Sequence, residues 1–234
     1  MPKYLLATDI HGCLKTLLAL VEKHGKDRQL ILLGDLIDRG PDSRGVVEYA
    51  MANKIPTVRA NHDDLCLAYS AHAKMGYKAK CSWYYERDVW LWNGGRTTLE
   101  SYDIHRGQAL PKDVLDWMAN LPPYIKIETP GPDGRQLLCS HTGFGLDADE
   151  DSRDGWLRAL WGRYGDDVVE FKYVDGTPFD DGWFRCFGHT KVKEAVLTNT
   201  YANIDSGCAY EGHGVLTGLL WPERVLVTQK NVDL

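Results

Sequence analysis

Tyr4-Leu5-Leu6-Ala7-Thr8-Asp9-Ile10-His11-Gly12-Cys13-Leu14-Lys15-Thr16-Leu17-Leu18-Ala19-Leu20-Val21 reads as strand, loop and helix in one stretch. Tyr4 to Thr8 is a short apolar run, and Leu14, Leu17, Leu18 and Val21 recur at helical spacing to make one apolar face. The same unit then repeats. Leu30 to Leu33 is aliphatic throughout and predicts a strand buried on both faces, after which Pro41 and Asp42 start a helix through Val46, Val47 and Ala50. Ile55 to Val58 predicts a third strand, and Asp63 opens a helix with Leu65, Leu67 and Ala68. Strands alternating with helices predict an α/β protein with right-handed crossovers and a largely parallel sheet.

Polar residues cluster where each predicted strand hands over to a loop: Asp9-Ile10-His11, Gly34-Asp35-Leu36-Ile37-Asp38-Arg39-Gly40 and Arg59-Ala60-Asn61-His62-Asp63. Open α/β sheets bind ligands at the carboxyl ends of their strands, so groups from separate strands can converge there. His141, after Leu137 to Ser140, and His189, in Phe187-Gly188-His189-Thr190, add two nitrogens. Asp9, His11, Asp35, Asn61, His141 and His189 together offer oxygen and nitrogen donors without a thiolate. That set suits two divalent ions, manganese first, with iron or zinc compatible.

Elsewhere the character changes. From about 78 to 121 the chain is aromatic and helical, with Trp83, Tyr84, Tyr85, Trp90, Trp92 and Trp117, and predicts an inserted helical cap on a single domain spanning 1–234. Its tryptophans are expected to be core. Tyr124 to Glu128 and Arg135 to Ser140 predict a hairpin around Pro130-Gly131-Pro132-Asp133-Gly134. Residues 147–182 are loop-rich and acidic, and Phe184–Phe187, Ala202–Ile204, Val215–Leu220 and Val225–Thr228 predict strands.

A net charge of −6 over 234 residues disfavours a nucleic-acid binder with a broad basic face. It is compatible with a phosphate substrate, because bound divalent ions reverse the local sign. Apolar runs are too short to span a bilayer, and Asp9 follows the N-terminus too closely for a cleavable signal peptide, so a cytoplasmic enzyme is expected. The six cysteines form no Cys-x-x-Cys pair and are expected to be buried thiols.

The ordered set Asp-x-His, Gly-Asp-x-x-Asp-Arg-Gly, Asn-His-Asp, His and Gly-His-Thr resembles the calcineurin-like metallophosphoesterases. Its Asp-Arg-Gly form and compact length look most like the bacterial and phage serine/threonine phosphoprotein phosphatases. The resemblance extends to Trp92-Asn93-Gly94-Gly95 and Ile204-Asp205-Ser206-Gly207-Cys208. It implies a four-layer sandwich of two mixed β-sheets flanked by helices. It also implies that Asp9, His11 and Asp35 hold one metal, and that Asp35, Asn61, His141 and His189 hold the other. Arg39, Arg59 and Arg163 would bind phosphate, with His62 as general acid oriented by Asp38 and a metal-bridging hydroxide as nucleophile.

On this basis the expected activity is a dinuclear phosphomonoesterase acting on phosphoserine or phosphothreonine in a phosphoprotein or phosphopeptide. Two alternatives remain. The Asn-His-Asp spelling is shared with the diadenosine tetraphosphatases, which would make the substrate a nucleotide phosphate, although those enzymes often lack the Asp of Asp-Arg-Gly. An inactive metal-binding scaffold is the other, opposed by intact His62, Asp38, Arg39 and Arg59. Ala60 and Asp63 depart from the Gly and Glu usual in the family. Ala60 requires a backbone that avoids positive φ, and Asp63 fits a helix N-cap. Tyr210 is a candidate substrate contact, and His213 reads as a loop residue.

Overall fold

β1 (Tyr4–Ala7) and β2 (Gln29–Leu32) pair in parallel with α1 (Leu14–His24) between them. The computed structural model describes residues 1–73, 88–143, 153–162 and 182–234. β1 also pairs antiparallel with β8 (Val215–Trp221), which pairs antiparallel with β9 (Val225–Lys230), giving the order β2-β1-β8-β9. The second sheet contains β3 (Tyr124–Ile127), β4 (Gln136–Ser140), β5 (Trp183–Phe187), β6 (Val196–Leu197) and β7 (Tyr201–Asn203), in the order β3-β4-β5-β7-β6. Within it β4–β5 and β5–β7 are parallel, whereas β3–β4 and β6–β7 are antiparallel. Both sheets are therefore mixed. The largely parallel sheet expected from strand–helix alternation gives way because β8 returns from the far end of the chain to pair with β1.

Side chains alternate across a strand, and that alternation builds two cores. Leu5, Ala7, Leu30 and Leu32 face the helices in one cluster with Leu17, Leu20, Val46, Val47 and Ala50. Leu6, Ile31 and Leu33 face the second sheet in another, against Leu137, Cys139, Phe184, Cys186 and Ala202. This is why residues 5–7 and 30–33 are apolar at every position.

α2 (Ser43–Ala52) is capped by Asp42, which accepts from the Gly45 N–H at 2.8 Å. The Ile55–Val58 stretch is not a strand. It makes one parallel bridge, Leu32 to Thr57, because Pro56 has no N–H to extend the ladder. α3 (Asn61–Ala73) starts two residues earlier than expected, so Asn61 and His62 lie in its first turn. Asp63 is accordingly not the cap residue. From the third helical position its Oδ2 accepts the Ala60 N–H at 2.9 Å, which is half of a capping box.

A π-helical turn at Leu91–Gly95 leads into α4 (Arg96–Ser101), followed by α5 (Lys112–Ala119). Trp90, Leu91, Leu99, Val114, Leu115 and Met118 join the helix-side core, and Trp117 packs against it. Trp92 does not, being 70% exposed, while Trp83, Tyr84 and Tyr85 lie outside the described residues. Within 147–182, α6 (Arg153–Trp161) is helical where loop was expected. The described cysteines, Cys13, Cys66, Cys139, Cys186 and Cys208, are buried free thiols. No helix among the described residues is long and apolar enough to cross a membrane.

Candidate metal centre

The loops after β1 and β2 are stitched into one unit. The Asp9, His11 and Gly12 N–H groups donate to the carbonyls of Gly34, Asp35 and Leu36 at 3.2, 2.9 and 2.8 Å. Asp9, His11, Asp35, Asp38, Arg39 and His189 all take φ between 46° and 75°. Non-glycine residues seldom adopt this left-handed region, which concentrates where a site over-determines its backbone. Gly34, at φ 87°, lies directly against the Ala60 Cβ. Ala60 itself is not among the residues with positive φ, so a side chain fits there without backbone strain.

Asp35 is the hub of the cluster. Its Oδ2 lies 3.5 Å from His11 Nε2, 3.6 Å from His141 Nε2 and 3.9 Å from His62 Nε2. Burial alone would raise its pKa, but His62, His141, His11 and His189 together hold it well below the usual carboxylate range. Asp9 is raised, chiefly by burial, with His141 opposing and Asp35 reinforcing. Thr8 Oγ1 and the His189 N–H donate to its Oδ2 at 2.7 and 3.1 Å.

Two imidazoles have their tautomers set from behind. Ile37 O lies 2.7 Å from His11 Nδ1, and Leu33 O lies 3.0 Å from His141 Nδ1. Each Nδ1–H donates to a carbonyl, which leaves the Nε2 lone pair facing the centre, the usual support for a ligating histidine. His141 Nε2 then lies 2.9 Å from Asn61 Oδ1 and 3.1 Å from His189 Nδ1, and Asn61 Oδ1 lies 3.1 Å from His189 Nδ1. Acceptor atoms crowded in this way are the pattern that a cation satisfies. Two groups have ligand atoms within 4.8 Å of one another, His11–Asp35–His62 and Asp9–Asp35–His141; both share Asp35, but the first includes His62 and the second pairs Asp9 with His141, so neither coincides with a ligand set that the resemblance implies. The residues present nonetheless fit a divalent pair. Burial lowers the His11 pKa, with Asp35 opposing.

His62 and Asp38 form a buried pair at 2.6 Å, Nδ1 to Oδ2. Asp38 also accepts from Thr98 Oγ1 at 2.6 Å and from Trp90 Nε1 at 2.9 Å. The Arg39 guanidinium spans both rings, with Nη1 2.8 Å from His11 Nε2 and Nη2 3.1 Å from His62 Nε2. Arg59 is 2% exposed, ion-paired with Asp64 and stacked 5.1 Å from the Trp156 ring. Arg163 lies outside the described residues.

Sequence reasoning missed Trp90, Thr98, Asp64 and Trp156 as supports of the site. The Trp92-Asn93-Gly94-Gly95 signature was the one available signal for the first two, since the Arg39 N–H donates to Gly94 O at 3.3 Å.

Residues 2–170 match the family model for calcineurin-like phosphoesterases, and the chain belongs to that family. It is 29% identical to the asymmetrical bis(5'-nucleosyl)-tetraphosphatase PrpE of Bacillus cereus strain AH187, over 97% of this chain and 93% of that one. Among solved structures, it superposes on a candidate diadenosine tetraphosphatase with a TM-score of 0.57 at 22% identity, covering 97% of this chain and 95% of that one. A protein serine/threonine phosphatase from Saccharomyces cerevisiae gives 0.56 at 14%, covering 100% and 81%. At these identities both structures support the fold alone.

Proposed function

We propose that this phosphoesterase is a dinuclear, metal-dependent nucleotide phosphohydrolase that splits a dinucleoside tetraphosphate asymmetrically. The similarity to PrpE, running almost end to end in both chains, carries this reading over the phosphoprotein phosphatase suggested by the motifs. Asp9, His11 and Asp35 would hold one ion, and Asp35, Asn61, His141 and His189 the other. Mixed oxygen and nitrogen donors suit manganese, iron or zinc. When bound, such a pair supplies Lewis acidity and acidifies water.

The chain's own residues do the rest. Arg39, and Arg59 on its Asp64 support, orient the phosphoryl group through planar guanidinium forks. Water adds to phosphorus while the bond to the next bridging oxygen breaks, giving a nucleoside monophosphate and a nucleoside triphosphate. His62 gives its proton to the departing oxygen, and Asp38 holds the ring in place.

One observation favours the second reading, hydrolysis of phosphoserine or phosphothreonine. A buried acid dyad at 2.6 Å helps most when the leaving group is a poor one, such as a serine alkoxide. Manganese-loaded protein given diadenosine tetraphosphate and phosphopeptides side by side decides between the two. The proposal expects AMP and ATP in equal amounts. Phosphate release from peptides with the dinucleotide left intact overturns it.

A further inference from the structure

A cavity of about 630 Å³ is lined by the 191–195 segment, Ser206, His213 and residues of β8 and β9. Val215 and Thr217 of β8 and Leu226 of β9 form its apolar wall, continuous with the inter-sheet core through Leu226. Lys191, Lys193 and His213 stand at its rim, with Glu194 as the one carboxylate among the lining residues. The volume lies within the range of ligand-binding clefts, and an apolar floor under a few polar groups is their usual make-up.

This rim is tied to the centre. Lys191 follows His189 by two residues, which span at most about 7 Å of extended chain. The loop is pinned on both sides, with the Val192 N–H donating to Asp205 O at 2.9 Å and Asn203 Nδ2 donating to Thr190 O at 2.9 Å. Lys191 Nζ sits 3.7 Å above the Tyr210 ring. That stacking depends on Gly207, at φ 78°, where an added Cβ would fall 2.7 Å from Lys191 Cδ and 2.9 Å from Tyr210 Cδ2. Among the described residues neither Lys191 nor Lys193 pairs with a carboxylate. Two exposed ammonium groups, two and four residues beyond His189 in a chain of net charge −6, suit an anion longer than one phosphate.

We propose that this cavity is the subsite for the distal nucleotide, with Lys191 and Lys193 on the phosphates beyond the one attacked and the nucleoside against Val215, Thr217 and Leu226. The assignment rests on the nucleotide reading above and deepens it. A phosphoserine has no second phosphate for these lysines to hold, whereas a polyphosphate chain reaches them.

Manganese-loaded full-length protein and the Lys191→Gln/Lys193→Gln variant test it, with diadenosine tetraphosphate and para-nitrophenyl phosphate as substrates. ATP and inorganic triphosphate serve as inhibitors of the second reaction. Hydrogen bonds to charged groups are strong enough that losing two should raise the KM for the dinucleotide about tenfold or more. ATP inhibition should weaken in parallel, while kcat and all para-nitrophenyl phosphate kinetics hold within about twofold. ATP inhibiting both proteins equally, or neither, overturns the subsite. ATP inhibiting no better than triphosphate overturns the nucleoside half of it. Should the parent protein leave the dinucleotide intact, the substrate reading fails by itself, and the ATP comparison still decides the subsite.

Discussion

His62 Nδ1 and Asp38 Oδ2 meet at 2.6 Å inside the protein, and the Trp90 indole and Thr98 hydroxyl both donate to the same carboxylate. Burial by itself would lower the imidazole pKa, but Asp35 and Asp38 outweigh it, and the ring ends above its ordinary value. Asp38 is pushed up by burial, with His62, Thr98 and Trp90 opposing. With Nδ1 engaged by Asp38, Nε2 faces the centre, where a general acid would act.

His62→Asn should therefore keep its metal content and slow turnover of esters with poor leaving groups by ~10²–10⁴-fold. Loss on para-nitrophenyl phosphate should be smaller, because that group departs as a stabilised anion. Equal slowing of both classes, or loss of metal, would make His62 a ligand or a structural residue.

The pH dependence carries a sign. Asp38 raises the His62 pKa, so the acid form persists to higher pH when Asp38 is present. Asp38→Asn should move the alkaline limb of the kcat profile to lower pH for poor leaving groups. An unmoved limb would show that another group sets it.

Trp90→Phe keeps the ring in the core but deletes the N–H that reaches Asp38 at 2.9 Å. A modest fall in kcat, about tenfold or less, with KM unchanged, is the expected result. A change in KM alone would point to a substrate contact for Trp90 instead.

Asp64 and Arg59 form an ion pair in which both side chains are almost wholly inaccessible. Removing one partner of such a pair typically costs about 3–5 kcal/mol. Asp64→Asn should lower stability by about that amount in urea unfolding, and stability close to the parent's would show that Arg59 is held by other contacts.

What the sequence revealed and what it hid divide along a physical line. Asp9-x-His11, Gly34-Asp35 and Asn61-His62 were legible because each is a local segment of polar donors that follows a short apolar run, whether or not that run is a strand. Trp90 and Thr98 were not, since they reach Asp38 across 52 and 60 residues by packing alone. The antiparallel return of β8 onto β1 was equally hidden, because no local period encodes a partner on the opposite end of the chain. Ile55–Val58 misled through its apolar content, which could not show that Pro56 limits pairing to one bridge.

Asp35 carries the central claim, since both candidate ligand groups share it. Elemental analysis of dialysed, manganese-loaded protein and of its Asp35→Asn variant tests that most directly. The account predicts two ions per chain in the parent protein and loss of one or both in the variant, together with activity. Two tightly held ions in Asp35→Asn would contradict it.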